Sequence, residues 1–328
     1  MSNPRDKSWI LNEVGLCLMS LGRLGEVVPF YERANVISPS TEDWHNASNN
    51  YRNLAQLHAF LGALTESADA ARRAENKQEE CYSLAYQAWA AHLRGDLEAA
   101  GVAFQQAEAL EREIDPDVRY LYGLRGIQHA DHLRRTPVED GGDPSTTDET
   151  SASGQAPAYA RRVTEANLEI CERNRWPDHV SRSHRVLGDL DADAGQHESA
   201  RAHYDEALKI ARSITRRDVL IEALLARGRW AARRQTLEVS QTSKVSTAFS
   251  DLNEALGYAV DGGYRRYEAD VRVALAWAHL AEALRQAQGD SLRRARQEAE
   301  RARQMSVEMG YHWGQVDVVE VLAAVDEA

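Results

Sequence analysis

Residues 188–207 read GDLDADAGQHESARAHYDEA, and the spacing inside this stretch decides the fold. Gly188 is followed seven residues later by Gly195 and five later by Ala200, then by Tyr204 at a step of four and Ala207 at a step of three. The same steps separate Gly15, Gly22, Val27, Tyr31 and Ala34, then Ala55, Gly62, Ser67, Ala71 and Ala74, and again Ala88, Gly95, Ala100, Phe104 and Ala107. Such a unit is two antiparallel helices joined by a tight turn. A small residue on the first helix lets the second approach closely, and glycine tolerates the left-handed backbone that stops a helix. On the second helix the small, large, small positions share one face, so Tyr31, Phe104 and Tyr204 are expected to be buried as wedges between hairpins.

Weaker copies extend the array in both directions. Ala160, Thr164 and Asn167 fit the second helix of a fourth unit whose first helix spans 120–135. Ala248, Leu252 and Ala255 follow a helix over 219–234, and Ala295, Ala299 and Ala302 follow one over 267–283. The expected units are about 7–39, 42–77, 79–113, 119–174, 178–213, 218–261 and 265–310, with a closing helix at about 312–325. Composition agrees with helix throughout: the chain is Ala-rich, with only 20 Gly, 8 Pro and 4 Phe in 328 residues.

Two interruptions stand out. Residues 136–157 carry five acids, no base, three Pro, three Gly and seven Ser or Thr, too little apolar area to offset their ordering entropy. They are expected to form a disordered acidic loop inside the fourth hairpin, a domain linker being the rival reading. Residues 235–245 are expected to be a second exposed loop.

These repeats resemble the tetratricopeptide repeat, whose helix-turn-helix units stack into a right-handed superhelix. The resemblance implies an all-α, right-handed superhelical solenoid of about seven hairpins plus a capping helix. Successive anchors Ala34, Ala74, Ala107, Asn167, Ala207, Ala255 and Ala302 lie 33 to 60 residues apart, so most units are longer than the common repeat. Long units, with the segments YLYGLRGIQHADHLRR, NLEICERNRW and ARQMSVEMGYHW, are similar to the C-terminal sensor repeats of bacterial STAND-type NTPases. That second resemblance covers roughly residues 80–328 and implies an ATPase module on a longer parent chain, of which this chain would be a fragment.

With 39 basic and 51 acidic side chains, the net charge of −12 argues against nonspecific binding to nucleic acid or to an anionic membrane surface. No run of about 18 apolar residues spans a bilayer and no secretory leader opens the chain, so a cytoplasmic protein is expected. Cys17, Cys81 and Cys171 are too few for a disulfide framework and are read as small buried residues. Phosphate-loop, dinucleotide, zincin, serine-elbow and paired-cysteine motifs are absent, so neither enzyme activity nor a cofactor is expected. Asp189, Asp191, Asp193 and Gly195 imitate a calcium loop poorly, since its twelfth position is Ala200. His129 and His132 lack a third placed ligand for a metal.

In a superhelix of such hairpins the first helices line the concave face. Residues off the packing stripe on those helices are therefore the candidate partner-binding surface: Asn49, Arg52 and Gln56, then Tyr82, Tyr86 and Trp89, then Leu124 and Gln128, then Arg182, Arg185 and Asp189, then Arg227 and Trp230. Aromatic anchors beside arginines suit a protein or peptide with apolar side chains and acidic or C-terminal carboxylate groups. The competing reading packs Tyr86 or Trp89 between hairpins and pairs the arginines with neighbouring acids. The expected function is a non-enzymatic peptide- or protein-binding solenoid, by resemblance the ligand-sensing region of a STAND-type ATPase. A stand-alone adaptor, a small-molecule-responsive regulator and a groove enzyme are the alternatives.

Overall fold

The computed structural model describes residues 3–40, 44–63, 77–136, 156–237, 245–286 and 289–328. Fourteen α-helices and one short 3-10 turn at Leu24–Glu26 occur among them, with no strand. In order these are α1 (Pro4–Ser20), α2 (Val28–Ser40), α3 (Trp44–Leu61), α4 (Lys77–Arg94), α5 (Leu97–Ile114), α6 (Leu124–Arg135) and α7 (Ala156–Arg173). There follow α8 (Pro177–Asp193), α9 (His197–Ser213), α10 (Arg217–Leu237), α11 (Val245–Gly262), α12 (Arg265–Gln286), α13 (Gly289–Met309) and α14 (His312–Glu327). Consecutive helices pack as hairpins, α1 on α2, α4 on α5, α6 on α7, α8 on α9, α10 on α11 and α12 on α13, while α14 closes the stack against α13 and α12. The molecule is an all-α solenoid of helical hairpins. Ser67, Ala71 and Ala74, the expected second helix of the second unit, lie outside the described residues.

The spacing of residues 188–207 has a direct structural counterpart. Gly195 adopts φ 72° and ends α8, where an L side chain would be strained. A Cβ on Gly188 would stand 2.8 Å from the Tyr204 ring, and one on Gly15 would press still closer on Tyr31. In these two hairpins the small residue of the first helix is thus the seat of the aromatic ring, and on α10 Gly228 seats Leu252 in the same way. Tyr31, Phe104 and Tyr204 are all buried, as the spacing predicts. Phe104 also stacks on His129 of the next hairpin at 4.8 Å, and Tyr204 meets Ala226 and Trp230 of its own successor.

In the fourth hairpin the first helix starts at Leu124, not at Tyr120, because Gly123 turns the chain at φ 63°. The approach is tight: a Cβ on Gly126 would fall 2.3 Å from the Leu121 oxygen. Asn167, standing where other units carry Ala, accepts a hydrogen bond from the Gly123 N–H at 2.6 Å and donates to Ser183 Oγ at 2.9 Å. Its side chain therefore joins three segments that an alanine could not.

Several expectations change at their edges. Thr136 caps α6, its hydroxyl donating to the His132 oxygen at 2.7 Å, and Ala156 and Pro157 open α7. The ends of the expected acidic loop are thus structured, and its body, 137–155, lies outside the described residues. Likewise α10 runs on to Leu237 and α11 begins at Val245, so the second expected loop shrinks to 238–244, also outside them. Cys17 is exposed, in contrast to buried Cys81 and Cys171, since its helix α1 has only one neighbour-covered face.

The array does not behave as a line in which each unit touches only its neighbours. It winds back on itself. The turns inside the first three hairpins rest on turns between later ones: Gly22 on Arg217 and Tyr264, Gly62 on Met309 and Gly95 on His312. Two apolar clusters cross this contact. One joins Met19, Leu24, Tyr31 and Phe60 to Ile221, Ala259, Tyr264 and Tyr267, the other joins Ala59 and Leu93 to Ala269, Met305, Tyr311 and Trp313.

Candidate functional site: an axial cavity lined by arginines and carboxylates

Because the winding is tight, the concave face is reduced to a central cavity of about 120 Å³. Its wall comes from α3 and from the first helices of the hairpins that follow, α4, α6, α8, α10 and α12, together with the start of α14. Six arginines (Arg134, Arg135, Arg182, Arg185, Arg229, Arg266) and four carboxylates (Asp131, Asp189, Glu222, Asp270) face it, against a chain that is net acidic. Tyr86, Trp89, Ile127, Leu225, Tyr267 and Trp313 supply its apolar part.

Of the residues expected in the groove, Gln56, Tyr86, Trp89, Leu124, Gln128, Arg182, Arg185 and Asp189 line this cavity. Arg182 and Arg185, however, already have partners. Arg182 is 2% exposed, and its Nε donates to Glu222 at 2.9 Å while Nη2 donates to Asp218 at 2.5 Å. Tyr267 donates to the same Glu222, and Arg216 Nη2 donates to Asp218 at 2.7 Å. Burial alone would raise the Asp218 carboxyl; Arg182 and Arg216 overcome it and hold the group well below the usual carboxylate range. Arg185 grips Asp131 with two hydrogen bonds of 2.5 and 2.7 Å and reaches Asp189 at 3.3 Å. Asp189 in turn accepts from Arg229 at 3.1 Å and Tyr204 at 2.8 Å, and its carboxyl too is held low against the effect of burial. These side chains cross-link adjacent hairpins. Asp189, the first residue of the imitation calcium loop, is committed to them.

Five expected residues lie elsewhere. Arg227 forms a two-pronged pair with Asp251 at 2.8 and 2.9 Å and another bond to Asp205, on the second helices α11 and α9. Trp230 packs on Tyr204 at 5.8 Å between hairpins. The inward row on α10 is Glu222, Leu225, Ala226 and Arg229, the three-and-four spacing of one helix face, and Arg227 and Trp230 fall off that row. Asn49, Arg52 and Tyr82 are also outside the cavity, with the Arg52 guanidinium 4.6 Å above the Tyr82 ring.

Sequence reasoning missed Arg134, Arg135, Arg229, Arg266, Asp270, Tyr311 and Trp313. Extending the row from Gln128 through Asp131 to Arg135 would have found one of them. Those on α14 carried no such signal, since a closing helix has no reason in the repeat pattern to face the axis.

Two buried clusters, the second reaching the cavity wall at His92, have the look of chemistry. Cys81 Sγ donates to Glu111 at 3.3 Å and accepts from Arg125 at 3.0 Å, but burial pushes its thiol up to about 12, so it is not a thiolate near neutrality. His92 and His132 approach at 3.3 Å, and burial drives the His132 imidazole down to about 4 and that of His129 down to about 3. Among the described residues, no group of three or more His, Cys, Asp or Glu could hold a metal ion. Nor is any helix there long and apolar enough to cross a membrane.

No family model and no curated protein matches the sequence. Among solved structures, the chain is similar to a Rap protein complexed with competence and sporulation factor, with a TM-score of 0.52 and 10% sequence identity, over 98% of this chain and 99% of that one. At that identity the likeness is one of fold, and it places this chain among TPR-like helical solenoids.

Proposed function

We propose that the chain is a non-enzymatic scaffold that binds a peptide, or a peptide-like segment of a protein, along its axial cavity. The observation that carries this reading is the convergence of six helices, α3, α4, α6, α8, α10 and α12, on one mixed apolar and arginine-rich wall. The likeness to a Rap protein solved with competence and sporulation factor supports it. A cavity of about 120 Å³ is smaller than the roughly 300 Å³ or more that ordinary ligand sites offer. The wound form is therefore the closed one, and a peptide must bind a more open winding in preference to it.

The experiment is selection of peptides from a random library against the intact chain, followed by binding measurements and small-angle scattering. Selected peptides should lose affinity at least tenfold with Trp89→Ala and enlarge the particle on binding. Peptides that bind Trp89→Ala as well as the parent, yet lose affinity with the outer-face change Lys209→Ala, would place recognition on the convex side and end this proposal.

The narrower reading, a ligand-sensing region of a STAND-type ATPase, rests only on segments such as YLYGLRGIQHADHLRR. Sequencing the reading frame upstream of Met1 tests it: a phosphate-loop motif there supports it.

A further inference from the structure

The arginines that sequence singled out are satisfied internally, so the feature of the cavity that needs explaining lies at its other side. There α6, α12 and α14 bring together buried donors with no acceptor. Arg266 is 8% exposed, its Nε has no hydrogen-bond partner, and its nearest carboxylate, Asp270, stands 3.6 Å from Nη1, too far for a hydrogen bond of ordinary strength. Trp313 is 7% exposed and its indole N–H is likewise unpaired. The Nε of Arg134 and the amide oxygen of Gln128, another cavity residue that is 5% exposed, have no partner either. A Gln amide is interchangeable end for end, so Gln128 can present either its N–H₂ or its oxygen here.

All four residues line the same cavity. The Arg135 guanidinium lies 4.1 Å above the Trp313 ring, and His92 packs against the same ring at 5.2 Å. Arg134 and Arg135 do have carboxylates, Asp193 at 2.8 Å and Asp317 at 2.6 Å, but neither of those acids faces the cavity. Two acids do face the cavity here, Asp189 at 4.0 Å from Arg134 Nη2 and Asp270 beside Arg266, yet the Arg134 Nε, the Arg266 Nε and the Trp313 N–H stay without an acceptor. His92 feels all three arginines: it is kept neutral by burial first, then by His132 and by the charges of Arg135, Arg134 and Arg266. A buried donor without an acceptor costs free energy, more so when it is charged, so several together mark a place where something belongs.

We infer that this side of the axial cavity is a carboxylate subsite. A carboxylate between Arg266, Arg134 and the Trp313 N–H accepts from the three donors that now lack acceptors. Its alkyl stem lies on Trp89 and Ile127. The size fits, since 120 Å³ holds several water-sized volumes, enough for a small carboxylate in the wound form. The same chemistry is offered by a free carboxylic acid or by the carboxylate of the peptide proposed above. The subsite deepens that reading by stating which end of the ligand enters and where.

Acetate, inorganic phosphate and chloride titrated against the intact chain at constant ionic strength test the first source, read by thermal midpoint and by tryptophan fluorescence. Acetate should saturate, raising the midpoint and changing the emission, while chloride does neither. Arg266→Gln should weaken acetate at least tenfold. Trp313→Phe, which keeps an aromatic ring in place and removes only the N–H, should weaken it several-fold and serves if Arg266→Gln does not fold. Lys209→Ala should leave it unchanged. For the second source, a selected peptide is compared as free acid and as C-terminal amide, and as variants lacking its acidic side chains. Loss of tenfold or more with one of these, abolished in Trp313→Phe, places its carboxylate in the subsite. No saturation by acetate, tighter binding of phosphate than acetate, or unchanged acetate binding by both variants overturns the subsite. Peptides that bind indifferently to amidation and to Trp313→Phe would overturn the peptide arm alone. A saturating acetate response with no peptide selected would instead sink the peptide reading and leave the subsite intact.

Discussion

The phenol hydroxyl of Tyr264 donates a 3.0 Å hydrogen bond to the main-chain oxygen of Met19, joining positions 245 residues apart. Tyr264 is completely buried at this contact and stacks edge-on with Phe60 at 5.5 Å. Removing the hydroxyl should cost about 1 kcal/mol, because the Met19 oxygen retains the Gly22 N–H as a second donor. Hydrogen exchange on Tyr264→Phe should accelerate at the end of α1 and the start of α12 together. Acceleration confined to α12 would show that the contact couples nothing.

Gly95 and Gly195 end equivalent first helices with φ 86° and 72°, but only Gly95 is pressed against another unit. A Cβ at Gly95 would lie 2.5 Å from the His312 ring, whereas at Gly195 nothing stands within 4 Å. Gly195→Ala should cost about 1–2 kcal/mol of backbone strain. Gly95→Ala should cost about 1–3 kcal/mol more, the penalty of overpacking. Urea unfolding of the pair decides it, and equal costs would mean the winding opens freely in solution.

Arg182 holds two carboxylates, Asp218 and Glu222, in a site with almost no access to water. Its replacement by Ala should destabilise the fold by about 3–5 kcal/mol, since an uncompensated buried charge remains. Loss of ligand binding in this variant is expected to follow from unfolding. Circular dichroism showing an unchanged midpoint would return Arg182 to the list of free ligand contacts.

The buried imidazoles set a pH limit. His129 and His132 titrate at about 3 and 4 in the folded chain because of burial, and His179 at about 4 for the same first reason, against about 6.5 when unfolded. As pH falls below about 6.5 the unfolded chain takes up protons that the folded chain refuses until about 4, so stability should fall across that window. Glu108, 3.9 Å from His129, and Asp270, both raised by burial, work the other way, but they oppose seven imidazoles that burial lowers, His92, His184, His203 and His279 among them. Urea midpoints at pH 7, 6 and 5 should decline, and His132→Asn should flatten the slope. Stability that rises toward pH 5 would contradict these assignments.

Much of the fold was legible because it depends on size at fixed intervals. Gly188 facing Tyr204 and Gly15 facing Tyr31 are sterically forced, and steric rules survive in a single sequence. The inward face was legible only where the repeat phase was clean, as at Trp89 and Arg185. It failed at Arg227, where a shift of one or two positions on α10 sends the side chain to the opposite side. The partners of Arg182 could not be read either, since Asp218 and Glu222 come from the next hairpin and their reach depends on how tightly the stack winds. Trp313 belongs to the same class, for it reaches the axis only after the whole turn has closed.

That closure also fixes how long the array can be. Repeat proteins ordinarily change by gaining or losing whole units, because each new hairpin needs only its two neighbours. Here Gly62 must meet Met309, and Gly95 must meet His312, after a set number of intervening hairpins. One hairpin more or fewer would carry every such pair out of register at once, exposing both clusters that bridge the winding. Duplication of a unit, the common route by which these arrays grow, is closed to this chain, and its lineage is left to vary by substitution and by the length of the segments that join its helices.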